Sequence, residues 1–301
     1  MSRMPIINFD EKFESFISDW VTQHRDEYEP FDALEEDLPR AYMLFLNTRA
    51  KWLGNLTPGS YFTQFEDPKV LVDWMHEYCR QHVPVPDLLT EQITFVGRPC
   101  EKRLLELLKD PEAEEEAVQL AIGLLREMES SLPRTLYIQW QLHRAEKDDR
   151  ADNALDSLKA MGKSAVQPIL QEIDHANEAG QEALLDVLTD YPGDEKTFRI
   201  TLKHFETRPA KRALFAGYLA KIGDERALPA LEKAAKEPTL SYLTYIELRN
   251  AIDAALATAG VDSVTVDLSQ VPYIDSTGIG VLVGSAHRAS EAGLGFAEAL
   301  T

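Results

Sequence analysis

The amino-acid sequence predicts a mainly α protein that consists of a helical N-terminal cap, a series of helix pairs and a small α/β segment. Three observations support this prediction. Aromatic residues crowd residues 1–100, glycines interrupt an apolar helical pattern at regular intervals within residues 101–258, and a β-branched run follows within residues 259–301. We therefore expect three parts with these boundaries.

Charge is the main restriction that composition places on binding partners. The 301-residue chain has 51 acidic and 31 basic residues, so its formal net charge is −20. Such a surface repels phosphate backbones and anionic lipid, and no long run of Lys and Arg offsets it. We expect neither a nucleic acid nor a membrane as a partner.

The cysteines and the N-terminal residues indicate the compartment. Two cysteines, Cys79 and Cys100, do not make a disulfide framework. The first residues turn acidic by Asp10, unlike a secretory signal, and no apolar run reaches the length that spans a bilayer. We therefore expect a cytoplasmic protein.

Residues 1–100 have the composition of an aromatic helical cap. The segment QITFVG, Gln92 to Gly97, is expected to be a short extended connection to the helix pairs that follow. The side chains that give the cap enough apolar mass for a core are Trp20, Tyr42, Phe45, Trp52, Tyr61, Phe62, Phe65 and Trp74. Terminal units of a repeat array are usually atypical, because one of their faces meets water.

Glycine spacing is the strongest sign of an internal repeat. Gly162, Gly193 and Gly223 each fall between two amphipathic helical patterns, and they are 31 and 30 residues apart (193 − 162 and 223 − 193). The phrases MGKSAVQPILQEI and KIGDERALPALEKA follow this plan and resemble HEAT-like repeats. The resemblance implies an α-α superhelix, or solenoid, that binds other proteins and rarely carries chemistry itself.

The C-terminal part begins with a predicted strand, Val264 to Leu268, which has β-branched residues at three of its five positions. The residues Asp275-Ser276-Thr277-Gly278 follow, and a helix is predicted from Thr277 to Ala292, ending at Gly293. Ile279, Leu282, Val283 and Ala286 are expected to face inward. This order places the Ser276 hydroxyl at a helix start, where backbone N–H groups and the helix dipole favour a phosphate.

The spacing DLSxVxxID and the following glycines resemble the anti-sigma factor antagonist (STAS) family. The resemblance implies that Ser276 is a phosphoacceptor and that its neighbours contact the partner or form the switch, namely Asp275, Thr277, Gly278 and Gly280. It implies a serine kinase that is itself an anti-sigma factor, and phosphorylation that breaks the complex. A simpler reading is that Asp275 or Ser276 only caps the helix.

The same resemblance implies that the segment is a partial domain. A complete STAS domain would have two strands before the helix that ends near Gly260, and a further strand and helices after Gly293. A single strand cannot satisfy its own backbone. The predicted strand would then pair with QITFVG or with another chain, or the segment is an incomplete fusion.

Other kinds of site fit the sequence less well. Asp-Ser-Thr-Gly is not the Asp-Ser/Thr-Gly of aspartic proteases, and Ser276 lacks the Gly-x-Ser-x-Gly elbow of hydrolases. Gly278-x-Gly280-x-x-x-Gly284 is off the dinucleotide spacing, and we expect no βαβ unit around it. His76, Cys79 and His82 lack paired Cys-x-x-Cys spacing, which favours ordinary packing over a metal site.

The sequence therefore favours a non-enzymatic interaction scaffold with a STAS-like switch, with no catalytic residue, metal or cofactor. The alternative is a HEAT-like adaptor of unknown partner in which the C-terminal segment is a truncated or fused appendage without function. A third hypothesis places an enzyme site in the aromatic cap, and a metal or cofactor bound to the purified protein would support it.

Overall fold

The computed structural model describes residues 5–24, 32–238, 240–258, 263–268, 273, 276–291 and 293–299. For residues 32–36, 276, 277, 298 and 299 it describes the backbone alone. Within these ranges the chain is mainly α, with a small α/β part at its C-terminal end, and the predicted fold class is confirmed at that level.

The chain divides into two compact units, Met1–Ala165 and Val166–Thr301. The expected division at residues 100 and 258 remains a prediction. In chain order the helices are α1 Phe9–Gln23, α2 Asp32–Asn47, α3 Pro58–Tyr61, α4 Pro68–Arg80, α5 Asp87–Val96, α6 Arg98–Leu108, α7 Glu115–Glu127, α8 Arg134–Leu142, α9 Asp149–Ala160, α10 Lys163–Glu172, α11 Glu178–Leu188, α12 Glu195–Thr207, α13 Arg212–Ile222, α14 Leu228–Ala235, α15 Tyr242–Thr258 and α16 Ser276–Glu291. The strands are β1 Ser263–Asp267 and β2 Gly295–Ala299.

The first unit has an aromatic core around Trp74 of α4, which is fully buried. The rings of Phe62 and Phe65 lie edge-on to it, each at a centroid distance of 5.1 Å. Its indole Nε1 donates to the Pro5 carbonyl at 3.0 Å, and the Tyr78 hydroxyl donates to the Ile7 carbonyl at 3.0 Å. Because a buried indole N–H needs an acceptor, these bonds attach the residues before α1 to the core.

The segment Gln92 to Gly97 is not extended as expected, because residues up to Val96 belong to α5. Leu89, Gln92 and Ile93 are buried at helical spacing. The Gln92 side chain donates from Nε2 to the Phe65 carbonyl at 2.8 Å. The β-branched residues of Gln92 to Gly97 favour a strand locally, but packing of the buried face stabilises a helix instead.

The predicted glycine breaks are confirmed as left-handed turns between helices. Gly162, Gly193 and Gly223 have φ values of 60°, 109° and 65°, a region that suits glycine best. After two of them an aspartate caps the next helical turn: Asp194 accepts from the Lys196 and Thr197 amides, and Asp224 accepts from the Arg226 amide. In each unit, helices pack mainly against helices that are close in sequence.

Helix α15 packs closely on α13 and α14 in the second unit. Leu248, Ala251 and Ala255 form its buried face. A Cβ placed on Gly217 of α13 would lie 3.3 Å from Oε2 of Glu247, so the Glu247 side chain of α15 extends over this glycine. Small buried residues on α15 favour close packing of a neighbouring helix.

We expect Ala251→Leu to lower the free energy of unfolding by about 1–3 kcal/mol, because the larger side chain has no space at the contact between α13 and α15. Urea titration followed by circular dichroism measures this. Ala257→Leu is the matched control, since Ala257 is exposed on the same helix, and a change within about 0.5 kcal/mol is expected there. Equal effects of both substitutions would contradict the packing described.

The buried residue His204 indicates how acid changes the stability of the second unit. The Nε2 atom of His204 lies 2.7 Å from Oε1 of Gln181, and its ring stacks on Phe215 at a centroid distance of 5.1 Å. Burial, and then the nearby charge of Arg208, lowers the pKa of His204 below its ordinary value. The folded protein therefore holds a neutral imidazole there.

We expect the folded state to lose stability as the pH falls through about 6.5, where the histidine of the unfolded chain takes up a proton that the folded site resists. His204→Gln should remove this dependence. The stability difference between wild type and variant should therefore shrink from about pH 7.5 to about pH 5.5. Urea titrations across that range measure it, and a constant difference would contradict the assignment.

Candidate functional site

The C-terminal part contains a parallel pair of strands. β1 and β2 pair from Ser263 opposite Gly295 to Asp267 opposite Ala299. Along β1, Val264 and Val266 are half-buried and the other three residues are exposed. This alternation is typical of a strand with one covered face. The predicted strand is confirmed, shifted by one residue.

The partner of β1 is the strand after Gly293, which the sequence reading took to be absent. Neither QITFVG, which is helical, nor a second chain is needed to pair β1. The residues of β2, GFAEA, contain one aromatic and no β-branched residue, so their β-propensity is low. Only the pairing with β1 identifies them as a strand.

Helix α16 connects the two strands, so that β1, α16 and β2 form a βαβ unit. This corrects the expectation that no such unit surrounds Gly278 and Gly280. Both glycines lie inside the first turns of α16, and Gly284 follows further along the helix. A glycine-rich phosphate loop would instead precede its helix, so the argument against a dinucleotide site rests on spacing and position.

The predicted phosphoacceptor, Ser276, is the first residue of α16, and Thr277 and Gly278 complete the first turn. Asp275 lies outside the described residues, and the side chains of Ser276 and Thr277 are not described. A Cβ added to Gly280 would meet no atom within 4 Å, so nothing in the described chain requires glycine there. The predicted stop at Gly293 is confirmed by its φ of 73°.

The inward face of α16 agrees with the expected one in part: Leu282 and Ala286 are half-buried, but Ile279 and Val283 are not. Ile279 and Val283 are 54% and 64% exposed, and Val281 is 40% exposed. The buried position is Ala289, whose carbonyl accepts from the Leu294 amide at 2.7 Å. A narrow sheet covers only part of a helix, so in the described chain α16 presents apolar side chains to solvent.

Polar side chains connect α16 to α15. Arg249 donates from Nη2 to the Ser285 hydroxyl oxygen, and Nε of Arg288 lies 3.4 Å from Oδ2 of Asp253. Sequence reasoning missed these contacts. The spacing of Arg249 and Asp253, four residues apart on one helix face, was the available signal, but a solvated face has the same pattern.

The described residues considered for a metal site do not form a ligand cluster. Nε2 of His76 lies 2.6 Å from Oε2 of Glu114, and His82 lies beyond the end of α4 with a φ of 54°. Burial raises the pKa of Cys79 to about 12 and that of Cys100 to about 11, which keeps both as thiols. Within the described residues, no cluster of three or more His, Cys, Asp or Glu side chains could hold a metal ion.

Comparison with known families identifies the C-terminal part. Residues 240–297 match the family model described as "Mlab, STAS domain". The match includes α15, β1, α16 and the beginning of β2, and it covers less than a fifth of the chain. No curated protein and no solved structure matches this chain. The STAS-like nature of the C-terminal segment is therefore supported, and a part in protein–protein interaction follows in general terms.

Among the helices of the described residues, none has the length and apolar character that crossing a bilayer requires.

The pairing of the strands predicts how amide hydrogens of β1 exchange. We expect removal of residues 294–301 to speed exchange across Ser263–Asp267 at least about tenfold, because β1 then loses its ladder partner. Hydrogen-exchange mass spectrometry measures this, with peptides from α13 as the internal control. Unchanged exchange in β1 would contradict the parallel pair.

Proposed function

We propose that this protein is a non-enzymatic regulator that acts through protein–protein contacts, in which Ser276 is a phosphoacceptor. The observation that supports this is the position of Ser276 at the start of α16, within a βαβ unit that matches a STAS family domain. The STAS resemblance supplies the partner class, a serine kinase of the anti-sigma type.

The physical basis of the switch is charge at a helix start. A phosphate on Ser276 adds about two negative charges, which the backbone N–H groups and dipole of α16 favour and the adjacent Asp275 opposes. The modification changes the electrostatics of the surface that the kinase contacts. A complex formed with the unmodified serine is therefore weakened after phosphate transfer.

The partner surface that we propose is the exposed side of α16. Ile279 and Val283, one turn apart on the same face, offer apolar contact area, and the absence of a side chain at Gly280 permits close approach of another backbone. Removal of this apolar area from water would drive association. The phosphoacceptor lies at the N-terminal end of the same helix.

The helical body would act as a scaffold. The glycine-ended turns at Gly162, Gly193 and Gly223 and the packing between sequence neighbours are typical of HEAT-like repeats. In this proposal the body needs no cofactor and performs no reaction. It holds a protein partner while the C-terminal segment responds to the kinase.

The test is phosphorylation of the full-length protein by a purified anti-sigma-type serine kinase. We expect one phosphate, located at Ser276 by mass spectrometry, and its loss in Ser276→Ala. Ser290→Ala is the matched control, because Ser290 is exposed on the same helix. Calorimetry should detect kinase binding to unmodified protein and at least about tenfold weaker binding after phosphorylation.

Absence of modification, together with no effect of Ser276→Ala on kinase binding, would contradict the switch. That result would favour the second candidate, an adaptor whose helical body alone holds the partner. Deletion of residues 261–301 tests this adaptor directly. Partner capture should survive the deletion if the body is sufficient and should be lost if the C-terminal segment is required.

A further inference from the structure

A cavity of about 370 Å³ lies in the first unit, between α1 and the loop after α2. One face of α1 lines this cavity, and Phe16 is the large apolar side chain of that face. Phe45 of α2 also lines it. The rings of Phe16 and Phe45 are 5.5 Å apart. The cavity therefore has an apolar interior, although it opens to solvent.

The rim of this cavity is basic in a strongly acidic chain. Lys12, Arg49 and Lys51 line it together with a single carboxylate, Asp19, which leaves an excess of two positive charges. Other acids of α1, Asp10, Glu11 and Glu14, are not among the lining residues. Such a local excess attracts an anionic ligand to one place on a surface that otherwise repels it.

The three rim cations make no ion pair with any carboxylate of the described residues, and all three are exposed. Two other cations of the same unit are paired: Arg103 lies 2.5 Å from Asp73, and Arg150 contacts Glu115. The charge of the rim is thus available to a ligand without first breaking an ion pair of the described chain.

An exposed tryptophan completes the site. Trp52 is 38% exposed, Phe9 packs edge-on against it at 5.6 Å, and Nζ of Lys12 lies 5.9 Å from its ring centroid. A hydrogen-bonded turn presents it, with the Ala50 amide donating to the Leu56 carbonyl at 2.9 Å. Gly54, with a φ of 62°, closes this turn. The ring is therefore held in place before a ligand arrives.

We propose that this cavity binds an acidic peptide segment of a partner protein. The segment inserts an aromatic side chain between Trp52 and Phe16 and places carboxylates on the rim cations. A peptide fits better than a small molecule, because small-molecule sites enclose most of their ligand whereas this cavity is open and its charges are spread around the rim. Aromatic and charged anchors of this kind dominate many protein interfaces.

The experiment uses the full-length protein and a fluorescein-labelled synthetic peptide with one phenylalanine flanked by glutamates. Fluorescence anisotropy should show binding that weakens as sodium chloride is added. Two control peptides, with glutamine in place of the glutamates and with alanine in place of phenylalanine, should each bind at least about tenfold more weakly. Neither measurement involves Ser276, so this site and the proposed phosphoswitch can fail separately.

Substitutions at the cavity test whether the peptide binds there. Lys51→Glu should weaken binding at least about tenfold, whereas Lys102→Glu, at an exposed lysine of α6 outside the cavity, should change it less than about twofold. Trp52→Ala should weaken binding to a similar extent as Lys51→Glu. Trp52→Phe keeps a ring against Phe9 and should retain more binding than Trp52→Ala, which distinguishes loss of ring contact with the peptide from loss of the fold. Circular dichroism checks the fold of each variant.

Three results would overturn the proposal. They are absence of peptide binding, equal effects of Lys51→Glu and Lys102→Glu, and displacement of the peptide by phenyl phosphate at the same concentration as by unlabelled peptide. The last would assign the cavity to small aromatic anions.

Discussion

The contact of α15 with α13 is the constraint on which the second unit depends. The buried face of α15 is mainly small, since Ala251 and Ala255 are two of its three buried residues, and α15 packs closely on α13. Thr258 adds a hydrogen bond by donating its hydroxyl to the Gly223 carbonyl. The same helix lies inside the STAS-like match. One helix therefore completes the helical body and begins the C-terminal segment.

This shared helix explains why α16 is held more lightly than the body. Its side-chain connections to α15, through Arg249 and Arg288, are polar and partly exposed, and exposed ion pairs contribute only about 0–1 kcal/mol each. The apolar side chains of α16 contribute little burial in the described chain. In the proposed switch, a phosphate or a partner protein would change the environment of α16 and leave the packing between α13 and α15 in place.

The cations at the cavity rim differ from those that form ion pairs elsewhere in the chain. In the second unit, cations join successive turns: Arg226 contacts Asp224 and Glu195, its guanidinium lies 4.3 Å from the Phe198 ring centroid, and Lys221 lies 2.7 Å from Asp190. In the first unit the three cations at the rim of the cavity beside Trp52 have no carboxylate partner among the described residues, although Nζ of Lys12 lies 5.9 Å from the Trp52 ring centroid. The former contacts connect successive helical segments of the second unit, and the latter are the cations that the proposed peptide site uses.

The sequence by itself determined features that depend on near neighbours along the chain. The glycine turns, the strand before Asp275 and a helix predicted from Thr277 to Ala292 and observed over Ser276–Glu291 each follow from local backbone preference and periodicity. The tertiary structure alone decided that Gln92 is helical, that GFAEA pairs with β1, and that Ile279 is exposed. It also brought Lys12 and Lys51 to one cavity. These features depend on which distant segment covers a given surface, and local propensity carries no information about that.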